Sequence, residues 1–142
     1  MLKGIPELLS PELLKALCEM GHGDRLVIAD GNFPAESKGK NSTVIRCDGH
    51  GVCEILDAIL QVFPLDGFVE KSVFLMQVPG ANSTSPEIWK KYHEIVGKYE
   101  NTKCIEEIAK PDFMCETEKA YLIVASSEKA LYANIMLQKG CI

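Results

Sequence analysis

The chain has 142 residues, 46% of them hydrophobic and 25% charged, which is enough for one ordinary domain with a real core. With 15 Lys and Arg against 20 Asp and Glu the net charge is −5 and no long basic run offsets it, so nucleic acid and anionic membrane surfaces are excluded as default partners. The opening stretch MLKGIPELLSPELL is broken by Pro6, Glu7, Pro11 and Glu12, which predicts neither a secretory signal nor a membrane span and points to the cytoplasm.

SPELLKALCEMG reads as a helix. Ser10 suits the N-cap, Pro11 the first helical position and Glu12 the positive helix end. Leu13, Leu14, Leu17 and Met20 share a face, and Gly21 is a natural stop. RLVIAD (25–30) is a short apolar run and predicts a buried strand. GNFPAESKGKNS (31–42) reads as a loop, because three of its residues are Gly or Pro and Ser and Asn add turn chemistry. TVIRC (43–47) predicts a second strand. After DGHG, the run VCEILDAILQVFP predicts an amphipathic helix with Ile55, Ile59 and Leu60 inward, closed before Pro64.

SVFLMQV (72–78) predicts a third strand. SPEIWKKYHEIVGKYE repeats the Ser-Pro-Glu helix start at Ser85, with Ile88, Trp89, Tyr92 and Val96 as its apolar stripe. Residues 103–110 fit strand or helix equally. FMCETEKA predicts a short helix, YLIVAS (121–126) a strand and NIMLQKG (134–140) a last strand. There is no repeat, low-complexity tract or linker, so residues 1–142 are expected to form a single domain. Strands alternating with helices imply an α/β sandwich on a largely parallel sheet.

In such sheets ligands bind beyond the carboxyl ends of strands, where Asp30 and Asp48 fall. Cys18, Cys47, Cys53, Cys104, Cys115 and Cys141 form no C-x-x-C pair and match no zinc spacing, so they are expected to be reduced and mostly small core residues. The three histidines show no metal-binding spacing, and GHGD is not a phosphate loop, since no G-K-[ST] follows. His50 and His93 read as solvated.

His22 stands between two glycines, where no neighbouring side chain blocks its imidazole from a ligand. Histidine titrates near pH 6.5 in an unperturbed setting, which suits it to acid–base work. The plainer reading of the residue alone is a histidine placed at the negative helix end. Asp24 reads as a turn residue. Asp30, ending a buried strand, needs polar partners, or else forms a turn ahead of Gly31. Tyr132 and Asn134 offer a hydroxyl and a carboxamide suited to a sugar, or an Asn turn beside a packed Tyr.

Taken together, LLSPELLKALCEMGHGDRLVIADGNFP, VIRCDG, FPLD and EKAYLIVASSEKALYANIMLQKG resemble the D-ribose pyranase/fucose mutarotase family, in its L-fucose mutarotase branch, from residue 1 to about 140. The resemblance implies a three-layer α/β/α sandwich with a mixed, largely parallel sheet. It further implies a cytoplasmic, cofactor-free isomerase, with no metal, that interconverts the α and β anomers of a free monosaccharide. L-fucose is the implied sugar, with D-ribose as the alternative, and a non-catalytic sugar-binding or regulatory homologue is the other alternative. It implies a ring-like homo-decamer with sites between subunits. His22 is then the proton donor, Tyr132 a second catalytic group, and Asp30, Lys110, Tyr132, Ala133 and Asn134 the sugar-binding set. Two departures stand out. Ala133 replaces a glycine, which would be strained at positive φ. In KPDFMCE, Lys110 replaces an Arg and Met114 a Tyr, which removes a planar fork and a hydroxyl.

Overall fold

Ser10 caps α1 (Pro11–Glu19) in the computed structural model, its hydroxyl accepting the Leu13 N–H at 3.1 Å, and Leu13, Ala16 and Leu17 turn inward. The structure describes residues 1–80 and 83–142. The left-handed turn after α1 falls not at Gly21 but at Gly23, with φ of +86°, whose N–H reaches the Lys139 carbonyl at 2.8 Å.

The other elements in chain order are β1 (Arg25–Ala29), α2 (Ala35–Lys38), β2 (Thr43–Cys47), α3 (Val52–Leu60), β3 (Val73–Met76), α4 (Ile88–Val96), β4 (Ile105–Ile108), α5 (Lys110–Glu118), β5 (Leu122–Ser126) and β6 (Ile135–Gln138). The predicted loop 31–42 thus holds one helical turn, started once Pro34 has fixed its backbone. Residues 103–110 resolve into a 3₁₀ turn, β4 and the start of α5. That helix begins at Lys110-Pro111, earlier than FMCETEKA suggests, because Pro111 suits its first turn. The helix expected from Ser85 starts at Ile88 with Glu87 at its N-cap.

The sheet runs β2-β5-β1-β6-β3-β4. β1, β2, β5, β3 and β4 point the same way, and β6 lies antiparallel between β1 and β3, with Arg25 opposite Gln138 and Val73 opposite Leu137. Successive side chains alternate between faces. Leu26, Ile28, Leu122, Val124, Ile135 and Leu137 meet α1, α3 and α4 on one face. Val27, Ala29, Ile123, Ala125 and Met136 meet α2 and α5 on the other. The result is the three-layer α/β/α sandwich with a mixed sheet. No helix among the described residues is long and apolar enough to cross a membrane. Only Cys47 and Cys104 are buried; Cys18, Cys115 and Cys141 are exposed, so the expectation of mostly core cysteines does not hold. The reason is position, since Cys18 and Cys115 fall on the outer sides of their helices and Cys141 beyond β6.

After β6 the chain is clamped to the segment following α3. Gly140 donates to the Pro64 carbonyl at 2.9 Å, and Asp66 donates its N–H to the Gln138 carbonyl at 3.1 Å. A Cβ on Gly140 would collide with the Leu65 carbonyl and come within 2.7 Å of the Asp66 Cα. Gly140→Ala is therefore expected to lower unfolding free energy by about 1–3 kcal/mol in urea titrations; an unchanged midpoint would show that the clamp yields freely.

Candidate functional site

Two polar clusters lie at opposite ends of the sheet. The first is at the carboxyl ends of the parallel strands. Asp30 follows β1 and is buried, yet fully engaged. Its Oδ2 accepts from Asn134 Nδ2 at 2.9 Å, its Oδ1 from the Asn32 N–H at 3.0 Å, and its own N–H donates to Asn134 Oδ1 at 2.8 Å. The carboxylate and the carboxamide thus satisfy each other in the only way that burial tolerates. They border a cavity of about 380 Å³, lined also by Phe33, Met76, Lys110, Met114 and Tyr132. Its walls mix hydroxyl, carboxylate, amide and ammonium groups with apolar faces, the combination that binds a small polyol. Asp48, at the end of β2, is instead exposed and paired with Arg46 at 2.7 Å.

Tyr132 is the one non-glycine residue of positive φ among the described residues, at +54°. The left-handed region is a strained one for a bulky side chain, costing about 1–3 kcal/mol, and it persists only where neighbours enforce it. α4 does so. Trp89 Nε1 donates to the Tyr132 carbonyl at 3.0 Å, and the buried Tyr92 hydroxyl donates to the Ala133 carbonyl at 2.6 Å. Burial pushes the Tyr92 phenol far above its usual range, so it stays a donor. The strain expected at Ala133 therefore falls one residue earlier. Ala133 is fully buried and does not line the cavity within one chain. Lys110 Nζ lies 5.8 Å from the Tyr132 ring centroid, within cation–π range, where an Arg fork would stack flat.

The second cluster is at the other end of the sheet, around His22. Gly23 turns the chain so that the imidazole leans on the Phe68 ring, with centroids 5.6 Å apart, and His22 Nε2 meets Asp66 Oδ2 at 3.1 Å. Its side chain remains 47% exposed. The alternative of a histidine serving the end of α1 is not what forms, since its partner comes from the far side of α3. Asp24 is the expected turn residue, its Oδ2 accepting the Gly21 N–H at 2.7 Å.

Asp66 is 4% exposed and accepts three hydrogen bonds, from Gln138 Nε2 at 2.9 Å, the Phe68 N–H at 3.0 Å and His22. The Gln138 amide, foremost, holds its carboxyl below the usual range; burial opposes that, and the Phe68 N–H and His22 add to it. Sequence reasoning missed Asp66. FPLD carried no signal beyond its likeness to a family stretch. Trp89 and Tyr92 read as core stripe alone, although their polar tips shape the site. His50 and His93 are indeed surface residues, bonded to Glu54 and to the Trp89 carbonyl. No three His, Cys, Asp or Glu side chains among the described residues converge as a metal site would require.

His22 and Asp30 flank β1, whose five residues span about 16 Å. Within one chain they cannot touch the same monosaccharide, and Asp66, not Asp30, orients the histidine. This is an α/β sandwich that carries a His22–Asp66 pair at one end of its sheet and a cleft of mixed polar and apolar lining at the other. The chain belongs to the RbsD / FucU transport protein family, whose family model matches residues 3–142. It is 42% identical to the fucose mutarotase of Mus musculus over 98% of this chain and 94% of that one. It superposes on the crystal structure of FucU from Bifidobacterium longum with a TM-score of 0.95 at 50% identity, covering 99% of both chains. The fucose mutarotase from Streptococcus pneumoniae, solved in complex with L-fucose, matches with a TM-score of 0.93 at 44% identity, again over 99% of each.

The depressed carboxyl of Asp66 sets a pH dependence of stability. The native state takes up that proton at lower pH than the unfolded chain, so the stabilisation is complete above about pH 4 and is lost as pH falls through the native value. Asp66→Asn is expected to make the acid limb of the stability curve shallower by up to about one proton, ~1.4 kcal/mol per pH unit. Urea unfolding between pH 2 and 5 measures it; an unaltered slope would mean that other carboxylates carry the limb.

Proposed function

We propose that this protein is an L-fucose mutarotase, interconverting the α and β anomers of the free sugar by general acid–base catalysis. The observation that carries the reading is the pairing of a histidine oriented by a buried carboxylate with a separate cleft of polyol-binding character, on a chain similar throughout to fucose mutarotases. Mutarotation opens a hemiacetal ring and recloses it on the other face. The ring oxygen gains a proton while the anomeric hydroxyl loses one, and each transfer is the kind of step that general acid–base catalysis accelerates by about 10²–10⁴.

In this mechanism His22, protonated, donates to the ring oxygen. With Nε2 engaged by Asp66, the donating atom is Nδ1, which bonds no other group among the described residues. Asp30 and Asn134 hold sugar hydroxyls and Lys110 adds a cationic donor. Tyr132, aimed into the cleft by its strained backbone, positions the anomeric end, its hydroxyl taking the proton that the anomeric hydroxyl loses while passing its own to solvent. Phe33, Met76 and Met114 supply apolar surface, which favours a sugar with a methyl group over a fully hydroxylated one.

The two half-sites are joined by assembly. Residues 1–142 act as one domain, and the His22 end of one subunit faces the Asp30 end of the next. Phe68 beside His22 is 81% exposed and Leu131 beside Tyr132 is 67% exposed. Unpartnered apolar side chains thus flank both ends. Head-to-tail contacts of this kind close into rings, and the decamer is the ring we propose. The six unpaired thiols accord with a cytoplasmic setting.

NMR magnetisation exchange between the anomeric protons of L-fucose tests the activity. His22→Ala is expected to lower the exchange rate by about 10²–10⁴, and D-ribose to exchange more slowly than L-fucose. Full activity in the variant would remove His22 from the mechanism; faster ribose exchange would move the protein to the pyranase branch; saturable sugar binding without exchange would make it a binding protein. Mixing His22→Ala with Asn134→Ala chains before assembly should regenerate intact sites at about a quarter of positions if sites are shared between neighbours, and none if each chain works alone.

A further inference from the structure

Behind His22 a line of hydrogen bonds runs back to the surface. Asp66 Oδ2 accepts from Gln138 Nε2 at 2.9 Å, Gln138 Oε1 accepts from Arg25 Nε at 3.0 Å, and Arg25 Nη1 reaches Glu116 Oε2 at 2.8 Å. Chemistry settles the direction of every bond in it. A guanidinium only donates, so the Gln138 atom facing Arg25 is its oxygen. Its nitrogen then faces Asp66 with hydrogens alone to offer, and requires a carboxylate lone pair. The other Asp66 oxygen is taken by the Phe68 N–H. An ionised carboxylate only accepts; these donors fix Asp66 in place facing His22, and an acceptor opposite His22 Nε2 requires a hydrogen on that nitrogen. Reversing the carboxamide would set oxygen against carboxylate and amino group against guanidinium.

We propose that Arg25 and Gln138 are positioning residues for the reaction. Through Asp66 they hold neutral His22 as the Nε2–H tautomer, leaving Nδ1 as the nitrogen that takes and gives the catalytic proton. This rests on the functional reading above. The two residues are cross-strand partners on β1 and β6, so the sheet register itself aligns them. The Arg25 guanidinium lies 4.8 Å from the Phe74 ring centroid, which fixes its plane. Of the neighbouring charges, Lys119 bonds the other oxygen of Glu116, Asp24 is turned to the Gly21 N–H, and Lys139 binds the carbonyls of Leu17 and Met20. None of them breaks into the line. No proton travels along it: Arg25 and Gln138 keep their hydrogens throughout, and only Nδ1 exchanges one with the sugar.

Nitrogen-15 NMR of histidine-labelled protein above about pH 8, where an ordinary imidazole is neutral, reads the tautomer directly. Two variants probe the line. Gln138→Glu keeps an acceptor for Arg25 and removes the donor to Asp66. Arg25→Met removes the donor that orients Gln138. The wild type is expected to show Nε2–H. Each variant, folded by its thermal melt, is expected to show a mixture of tautomers and an approximately tenfold lower kcat for fucose exchange, with KM changed less than about twofold. That loss is a fraction of the ~10²–10⁴ which acid–base catalysis supplies. Nδ1–H in the wild type would overturn the proposal. So would unchanged tautomer and kcat in both variants, or a raised KM at constant kcat. A wild type that exchanges no sugar would overturn the functional reading alone, because the tautomer measurement needs no sugar and still decides whether Arg25 and Gln138 position His22.

Discussion

Everything that matters here hangs on one topological constraint, the antiparallel seating of β6 between β1 and β3. Its start carries Asn134 to the carboxyl end of β1, where the carboxamide closes on Asp30. Its end carries Gln138 to the opposite edge, where the amide closes on Asp66. One short strand therefore serves both polar clusters. A buried carboxylate at each end would destabilise the fold without these amides, and each amide meets its partner only in this register.

The same arrangement explains how a chain of this size uses strain. Tyr132 sits in the left-handed region because Trp89 and Tyr92 of α4 hold the carbonyls on either side of the turn. Residues that look like core on a helical wheel thus give their polar tips to the site. Pre-organisation of that kind fixes the cleft in advance and leaves less ordering to be done when a ligand binds. Lys110 and Met114 then tune the wall, one holding its charge over the Tyr132 ring and the other offering sulfur and methylene where a hydroxyl is lost.

Separation of the two clusters by the length of β1 turns a local feature into an assembly question. In the proposed mechanism a half-exposed imidazole and an open cleft on opposite ends of one chain are each incomplete. The exposed Phe68 and Leu131 beside them give each end an apolar surface that a neighbour can cover. In the proposed ring, function would belong to the assembly more than to the chain, and a change at either end would act on two subunits at once.

Much of this was legible in the residues themselves. Ser10-Pro11 and the spacing of Leu13 and Leu17 determine α1; the apolar runs at 25–30 and 121–126 determine buried strands; and Gly21-His22-Gly23 marks an accessible histidine. These depend on neighbours in sequence, through capping, periodicity and backbone freedom. Pairing across the sheet does not. The single turn in 35–38, the strand at 105–108, the strained Tyr132 in place of Ala133 and the partner of His22 were decided by contacts between residues far apart in the chain. Asp66 and His22 are 44 positions apart, and Asp30 and Asn134 are 104 apart. No local pattern encodes which carboxylate a histidine will meet, because that is set by strand order and register, and those emerge only when the whole core packs.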